Sequence, residues 1–383
     1  MRTEPFLYFL LTIIFLGDSI ILPFTNVKLS VFGLVILIFY GLFIPSKFKL
    51  NRNLYFFLIY LFIVSVSSIF MFPSSLLNTL FKSFILIFGL PIIYNIVVKF
   101  QHTFKQSYVL AAKITIIFMV IQIIAFLLNY IGLRNIIWDS SIILNASNMT
   151  FINGFPRLSS LYTEPSYLAS FLIPYLGIAE KKQRIYTTIL IGLTFSLIGY
   201  LGALIFYGTR LTLIKSNRFN SSILIVCGIT LLTLIMGARL DISDFSSLDL
   251  TTLIYVYHSI YIYQNWTLFL TGLGIDNYEE IWNLYSLSSL INKDLINTVK
   301  LLDDDFLMLK SSPFLPYRVF VELGVIGVFT FAFYIYKRRF NFFTFGVIAL
   351  ATRSGEYNKP LFLLFLVGSI ISSHNFNIIH SKK

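Results

Sequence analysis

Apolar runs of about 20 residues recur from one end of this 383-residue chain to the other. A run of that length matches a helix that crosses the hydrocarbon core of a bilayer. Hydrophobic residues make up 57% of the chain and charged residues only 12%, whereas a typical globular protein is about 25% charged. This composition excludes a disordered chain, a disulfide scaffold and a cytosolic enzyme. We expect an all-α polytopic membrane protein with a single integral membrane domain over residues 1–383.

The apolar runs predict about twelve transmembrane helices. The 30-residue run at 185–214 decides the count, because basic clusters at 181–184 and 215–218 flank it. Cations concentrate in short cytoplasmic segments, so a hairpin of two short passes that turns near Ser196–Gly199 keeps both clusters on one side. Both termini are then expected to be cytoplasmic. The other runs lie near 5–24, 28–44, 54–72, 76–98, 108–131, 161–179, 221–236, 317–336, 341–351 and 360–379.

The formal net charge is +12, which in a soluble protein would indicate nucleic acid as a partner. Here the cations lie mostly in short segments between apolar runs, so we interpret the charge as a topology signal and expect no nucleic acid. The only cysteine, Cys227, lies within an apolar run, which excludes an intramolecular disulfide and a cysteine-based metal site. The four histidines are scattered along the sequence, and we expect no metal. We also expect no cleavable signal peptide.

Two segments on the outer side are too long to be simple turns, at 132–160 and 237–316. The second contains ten acidic residues against four basic ones and is rich in tyrosine. We expect it to be a large, partly helical loop that folds over the membrane surface. Aromatic side chains suit sugar rings, although an interfacial aromatic belt has the same composition.

The most informative stretch for chemistry is the one around the start of the sixth pass. Arg157 lies just before this pass, and Glu164 lies within its first two turns. Pro165 follows Glu164 directly, which predicts an irregular entry into the helix with Glu164 near a helix N-terminus. A carboxylate at that depth is costly unless it is paired or hydrated, so Glu164 is a candidate site residue. If 157–164 is helical, the two side chains share a face about 10 Å apart. That spacing suits a bridging diphosphate or sugar, and the alternative is a purely structural Arg157–Glu164 pair.

Three further arginines are expected at the same membrane depth. Arg239 follows the ninth pass, Arg318 opens the tenth, and Arg353 ends the eleventh. Arginine binds phosphate oxygens in a bidentate manner and keeps its charge, so several of them could hold a lipid-linked diphosphate. For Arg318 we favour a simple helix-end anchor, and for Arg239 and Arg353 both readings stay open.

Several short motifs follow one another in order over residues 150–370. Leu161-Tyr-Thr-Glu-Pro-Ser166 enters a pass, and a short-helix hairpin follows. The large loop carries Leu270-Thr-Gly-Leu-Gly274, the next pass begins with Glu322-Leu-Gly-Val-Ile-Gly327, and Arg353-Ser-Gly-Glu-Tyr357 precedes the last pass. With its topology, this set resembles bacterial O-antigen polymerases of the Wzy type, within the O-antigen ligase-like membrane superfamily.

The resemblance implies a glycosyltransferase of lipopolysaccharide biosynthesis at the periplasmic face of the bacterial inner membrane. Such polymerases transfer a growing glycan from undecaprenyl diphosphate onto a new lipid-linked repeat unit, without a metal or cofactor. The implied catalytic residues are Glu164 and Arg157, and the implied diphosphate ligands are Arg157, Arg239 and Arg353. The implied partners are the lipid-linked oligosaccharides and the bilayer, together with a flippase and a chain-length regulator.

Two other functions compete with this prediction. O-antigen ligases carry a required histidine late in the large loop, and the segment Phe306–Tyr317 has none, which favours a polymerase. We interpret His258, earlier in that loop, as structural. Transporters such as a polysaccharide flippase are often built from two matching halves, whereas here the large outer loop occurs once. An assembly scaffold is a third possibility.

Overall fold

The structure is a computed structural model that describes most of residues 3–128, 151–214 and 315–371, with scattered positions between 258 and 278. Nearly all of these residues are helical. The described helices are α1 (Thr3–Leu16), α2 (Leu29–Leu42), α3 (Arg52–Met71), α4 (Leu76–Phe84), α5 (Leu90–Lys99), α6 (Gln101–Leu127), α7 (Pro165–Ile178), α8 (Lys181–Gly192), α9 (Leu197–Ile214), α10 (Leu315–Tyr336), α11 (Phe342–Arg353) and α12 (Pro360–Ile370). A two-residue pair of antiparallel strands, β1 (Phe151–Ile152) and β2 (Phe155–Pro156), precedes α7.

The helices follow the predicted apolar runs in order. α4 and α5 form one continuous helix, because the π-helical turn Ile85–Gly89 joins them. Pro91 explains this turn: its ring would clash with the carbonyl of residue 87, and a wider turn relieves that clash. Ten of the eleven predicted runs therefore coincide with helices in the described part of the chain, and the run at 185–214 supplies two of those helices. The ninth predicted pass, 221–236, lies outside the described residues, as do 132–150 and most of 237–314.

The 30-residue run folds as the predicted hairpin. α8 ends at Gly192 and α9 begins at Leu197, so the turn comes slightly before the predicted position. Phe195 has a φ of 48° in this turn. Gly199, which was expected in the turn, instead lies inside α9, where a Cβ atom would stand 2.9 Å from Ala169 Cβ. The missing side chain lets α9 approach α7 closely.

An aromatic cluster joins α1, α6, α7, α11 and α12. The Tyr108 ring lies 5.2–5.7 Å from its partners in this cluster, and its hydroxyl donates a 2.6 Å hydrogen bond to the Phe171 carbonyl. Because a buried hydroxyl is costly when unbonded, this bond fixes α6 against α7. The other rings of the cluster are Phe15, Phe104, Phe171, Phe343 and Phe365.

α7 and α11 pack side by side in opposite directions. A Cβ atom on Gly177 would stand 2.6 Å from Phe342 Cβ, and one on Gly346 would stand 2.6 Å from Pro174 Cγ. The start of α11 thus meets the end of α7. Because the two helices are antiparallel, the last residue of α11, Arg353, lies at the end of the bundle where α7 begins.

The outside of the helices is apolar. Phe43, Phe70 and Leu77 each expose more than 80% of their surface, and many other large hydrophobic residues are exposed. Among the described residues, two helical stretches are long and apolar enough to cross a membrane by length and composition, Thr79–Lys99 and Gln101–Leu127. Soluble monomers rarely expose large apolar patches, so these features indicate association with a membrane.

Candidate functional site

The segment that leads into α7 is held against α6 and does not form a helix. Ser160 has a φ of 53°, a left-handed conformation that interrupts any helix through this point. Its backbone N–H donates to Gln122 Oε1 and its hydroxyl donates to the Thr115 carbonyl, both at 2.9 Å. The condition under which Arg157 and Glu164 would share one helical face is therefore not met, because buried polar groups of α6 fix an irregular path between them.

Arg157 lies at the turn of the α8–α9 hairpin. Its Nε and Nη2 atoms donate to the carbonyls of Thr194 and Phe195 at 3.3 and 3.4 Å. The Leu158 N–H donates to the Leu193 carbonyl in the same turn. The guanidinium thus binds carbonyl groups left without helical donors at a helix end.

Glu164 is the N-cap residue of α7. Its backbone is extended, with φ −140° and ψ 146°, and Pro165 occupies the first helical position. Proline is favoured there because its missing N–H has no partner to lose. The Ser166 hydroxyl donates to Glu164 Oε2 at 3.2 Å. The prediction that Glu164 lies at a helix N-terminus is confirmed, and this position stabilises a negative charge through the helix dipole.

A lysine that the sequence analysis overlooked approaches α7 from the start of α12. Lys359 is the N-cap residue of α12, and its ammonium donates a hydrogen bond to the Tyr167 hydroxyl. Lys359 Nζ lies 4.5 Å from the centre of the Tyr167 ring. Pro360 at the first position of α12 was the available signal, since a residue before such a proline is commonly a helix cap.

We call the group of Arg157, Glu164, Ser166, Tyr167 and Lys359 the α7 cluster. It combines one carboxylate, two hydroxyls and two cations at one end of an apolar helical bundle. Within the described residues, no three His, Cys, Asp or Glu side chains lie close enough to hold a metal ion.

Of the other three predicted arginines, the structure describes two. The backbone of Arg353 ends α11 at the same end of the bundle as the α7 cluster, whereas Arg239 lies outside the described residues. Arg318 is buried, and its Nε donates to Glu322 Oε1 at 2.8 Å. A buried, paired arginine supports the anchoring role that we favoured for Arg318.

Two motifs that are distant in sequence meet in a second site, which we call the loop clasp (residues 270–275 and 321–325). Gly324 interrupts α10, with φ 64° and ψ −168°. The Val325 N–H therefore leaves the helix and donates to the Leu270 carbonyl. Because the interruption also removes helical donors from nearby carbonyls, other donors replace them. Leu273 N–H donates to Val321 O and Gly274 N–H to Glu322 O, each at 3.0 Å, and the Tyr60 hydroxyl donates to Leu323 O.

The side chain of Glu322 completes the clasp. Its Oε1 atom accepts hydrogen bonds from Arg318 and from the Tyr278 N–H. The Tyr278 hydroxyl in turn lies 2.5 Å from Nδ1 of His258, which is fully buried. The burial of His258 supports its interpretation as a structural residue. The described part of the large loop is therefore attached to α10 by backbone bonds and by a buried carboxylate.

Comparisons with protein-family models, with curated proteins and with solved structures found no match to this chain.

Proposed function

We propose that this protein is a polysaccharide polymerase that joins repeat units linked to undecaprenyl diphosphate. The observation that carries the proposal is the α7 cluster, where a carboxylate and two cations lie at the same end of an apolar bundle. A substrate with a hydrocarbon anchor and an anionic head group needs both kinds of surface. The ordered motifs of the sequence, from Leu161 to Tyr357, support the same function.

In the proposed reaction, a hydroxyl of the acceptor sugar attacks the anomeric carbon of the donor glycan, and the bond to the lipid diphosphate breaks. Glu164 accepts the proton of the attacking hydroxyl. Arginine side chains stabilise the negative charge that develops on the departing diphosphate. The reaction needs no external energy source, because the diphosphate is itself the leaving group.

We further propose that the chain crosses the bacterial inner membrane twelve times, with both termini in the cytoplasm and the large loop in the periplasm. The hairpin offers a direct test, because α8 should place its two ends on opposite sides. In a Cys227→Ser background, a cysteine at Leu193 should react with a membrane-impermeant maleimide in spheroplasts. A cysteine at Glu180 should react only after permeabilisation. Equal labelling of both positions in intact spheroplasts would contradict this topology.

The function itself is tested with purified protein in vesicles. The expected result is that lipid-linked repeat units are converted into a ladder of longer lipid-linked glycans on a gel. Transfer of finished polymer to a lipid A core would instead identify a ligase, and movement of unchanged repeats across the bilayer would identify a flippase. Either of these results without elongation would reject the polymerase. In cells, deletion of the gene should remove the ladder and leave single-repeat material.

The arginines give a prediction about diphosphate binding. Arg157→Ala, Arg239→Ala and Arg353→Ala should each lower elongation roughly 10- to 100-fold, since a charge-assisted hydrogen bond contributes about 1.5–3 kcal/mol. Lysine should restore only part of the activity, because it lacks the bidentate fork. Elongation is measured with equal amounts of each variant in the membrane. Arg210→Ala, at the opposite end of α9 from Arg157, is the control, and normal ladders from all three variants would reject the arginine clamp.

A further inference from the structure

The contact between Lys359 and Tyr167 lies close to the proposed base and has no part in the reaction described so far. Tyr167 comes three residues after Glu164, and the N-cap and third positions of a helix are neighbours in space. Tyr167 is 8% exposed and Lys359 is partly exposed. A cation is therefore held in a fixed place beside the first turn of α7, where the carboxylate lies.

We propose that Lys359, held by Tyr167, is a diphosphate-binding residue that positions the head group of the lipid-linked substrate. This inference deepens the proposed function and rests on it. Arg157 is supplied by the segment that leads into α7, and Lys359 is supplied by the start of α12. A diphosphate carries negative charge on the oxygens of both phosphate groups. Two cations supplied by different elements therefore suit it better than one cation.

The chemistry of the pair fits a positioning role. A lysine side chain is long and loses considerable rotamer freedom when it is fixed. The Tyr167 hydroxyl accepts one of its three N–H donors and holds the ammonium before substrate arrives. Pre-organised cations bind a charged group more tightly because less ordering is needed on binding. Lys359 is therefore expected to act on substrate affinity more than on the chemical step.

A binding experiment that needs no turnover tests this inference. Full-length protein in phosphatidylcholine nanodiscs is titrated with undecaprenyl diphosphate and, separately, with undecaprenyl monophosphate. Lys359→Gln should weaken binding of the diphosphate by about 10-fold or more and change binding of the monophosphate less. Tyr167→Phe, which removes only the hydroxyl, should weaken diphosphate binding by a smaller factor. In elongation assays Lys359→Gln should raise KM with little change in kcat.

The chain offers close controls for both substitutions. Lys28 is also a partly exposed N-cap lysine, and its φ and ψ of −68° and 141° match the −64° and 138° of Lys359. Tyr175 is buried near the other end of α7, and its hydroxyl bonds Gln183. Lys28→Gln and Tyr175→Phe should bind undecaprenyl diphosphate like the wild type.

Inorganic pyrophosphate should compete with the lipid if the diphosphate group alone is recognised. Failure to compete would assign part of the binding to the lipid.

The outcomes separate this inference from the proposed function. Wild-type affinity for undecaprenyl diphosphate in the Lys359→Gln variant would overturn the role of Lys359, whether or not the wild type elongates chains. A lower unfolding temperature without weaker binding would identify a structural contact and would also overturn it. Weaker binding by the variant, with no elongation by the wild type, would support the diphosphate site and reject the polymerase. An absence of diphosphate binding by the wild type would overturn the inference as well.

Discussion

Replacing Glu164 with Gln is expected to lower chain elongation by roughly 10²- to 10⁴-fold, the usual range for loss of a general base. Glutamine keeps the shape of the side chain and can still accept the hydrogen bond that Ser166 donates to Glu164 Oε2. It cannot accept a proton from the attacking sugar hydroxyl. Glu164→Gln should therefore be nearly as inactive as Glu164→Ala. The measurement is the elongation rate on purified lipid-linked repeats with equal amounts of each protein.

Glu180 provides the matched control for this experiment. It is the N-cap residue of α8, as Glu164 is of α7, and neither side chain caps its own helix with a hydrogen bond. Glu180 lies beyond the end of α7 opposite to the α7 cluster. Glu180→Gln should elongate chains at the wild-type rate. If Glu164→Gln also kept most of the wild-type rate, Glu164 would be a structural residue and the proton acceptor would lie elsewhere.

The second large effect is expected from Gly324→Ala in the loop clasp. A Cβ atom on Gly324 would stand 2.5 Å from Leu270 O and 2.6 Å from Gly272 N, both backbone atoms that have little freedom to move. Its φ of 64° with ψ −168° is also reached almost only by glycine, and the backbone strain alone costs about 1–3 kcal/mol. Alanine should separate the large loop from α10, lower the unfolding temperature and reduce the amount of protein in the membrane.

Limited proteolysis measures the separation directly. Trypsin should cut the Gly324→Ala variant at Lys293 and Lys300 of the large loop faster than it cuts the wild type. Gly192→Ala is the control, because a Cβ atom there would meet nothing within 4 Å. Equal rates of cleavage and equal unfolding temperatures for Gly324→Ala and the wild type would mean that the loop clasp does not hold the loop.

The sequence predicted the helices well where the signal was a local one. Apolar length located ten runs that are helical in the described residues, and the basic clusters around 185–214 predicted that this run is two helices. Pro165 placed Glu164 at a helix N-terminus because proline favours the first helical position. Each of these inferences depends only on residues that are close in sequence, because helix propensity, capping and apolar length are properties of a single helix.

The path from Arg157 to Glu164 could not be predicted in this way. Nothing between them forbids a helix, yet Ser160 adopts a left-handed backbone because Gln122 and Thr115 of α6 hold it there. Those partners lie 38 and 45 residues away in sequence. A local pattern carries no information about them, so it could not decide whether the helical spacing applies to the two side chains.

The sequence by itself determined that the chain is a series of apolar helices, and it selected the candidates Arg157, Glu164, Arg239 and Arg353. Only the tertiary structure joined Lys359 to Tyr167, 192 residues apart, and Leu270–Gly274 to the interruption of α10 at Gly324. Local sequence fixes secondary structure through backbone propensity and hydrophobic length. Which helix ends meet depends on close packing, as at Gly177 and Gly346 between α7 and α11. That packing is a property of the folded chain as a whole, because it requires complementary shapes from segments that are distant in sequence.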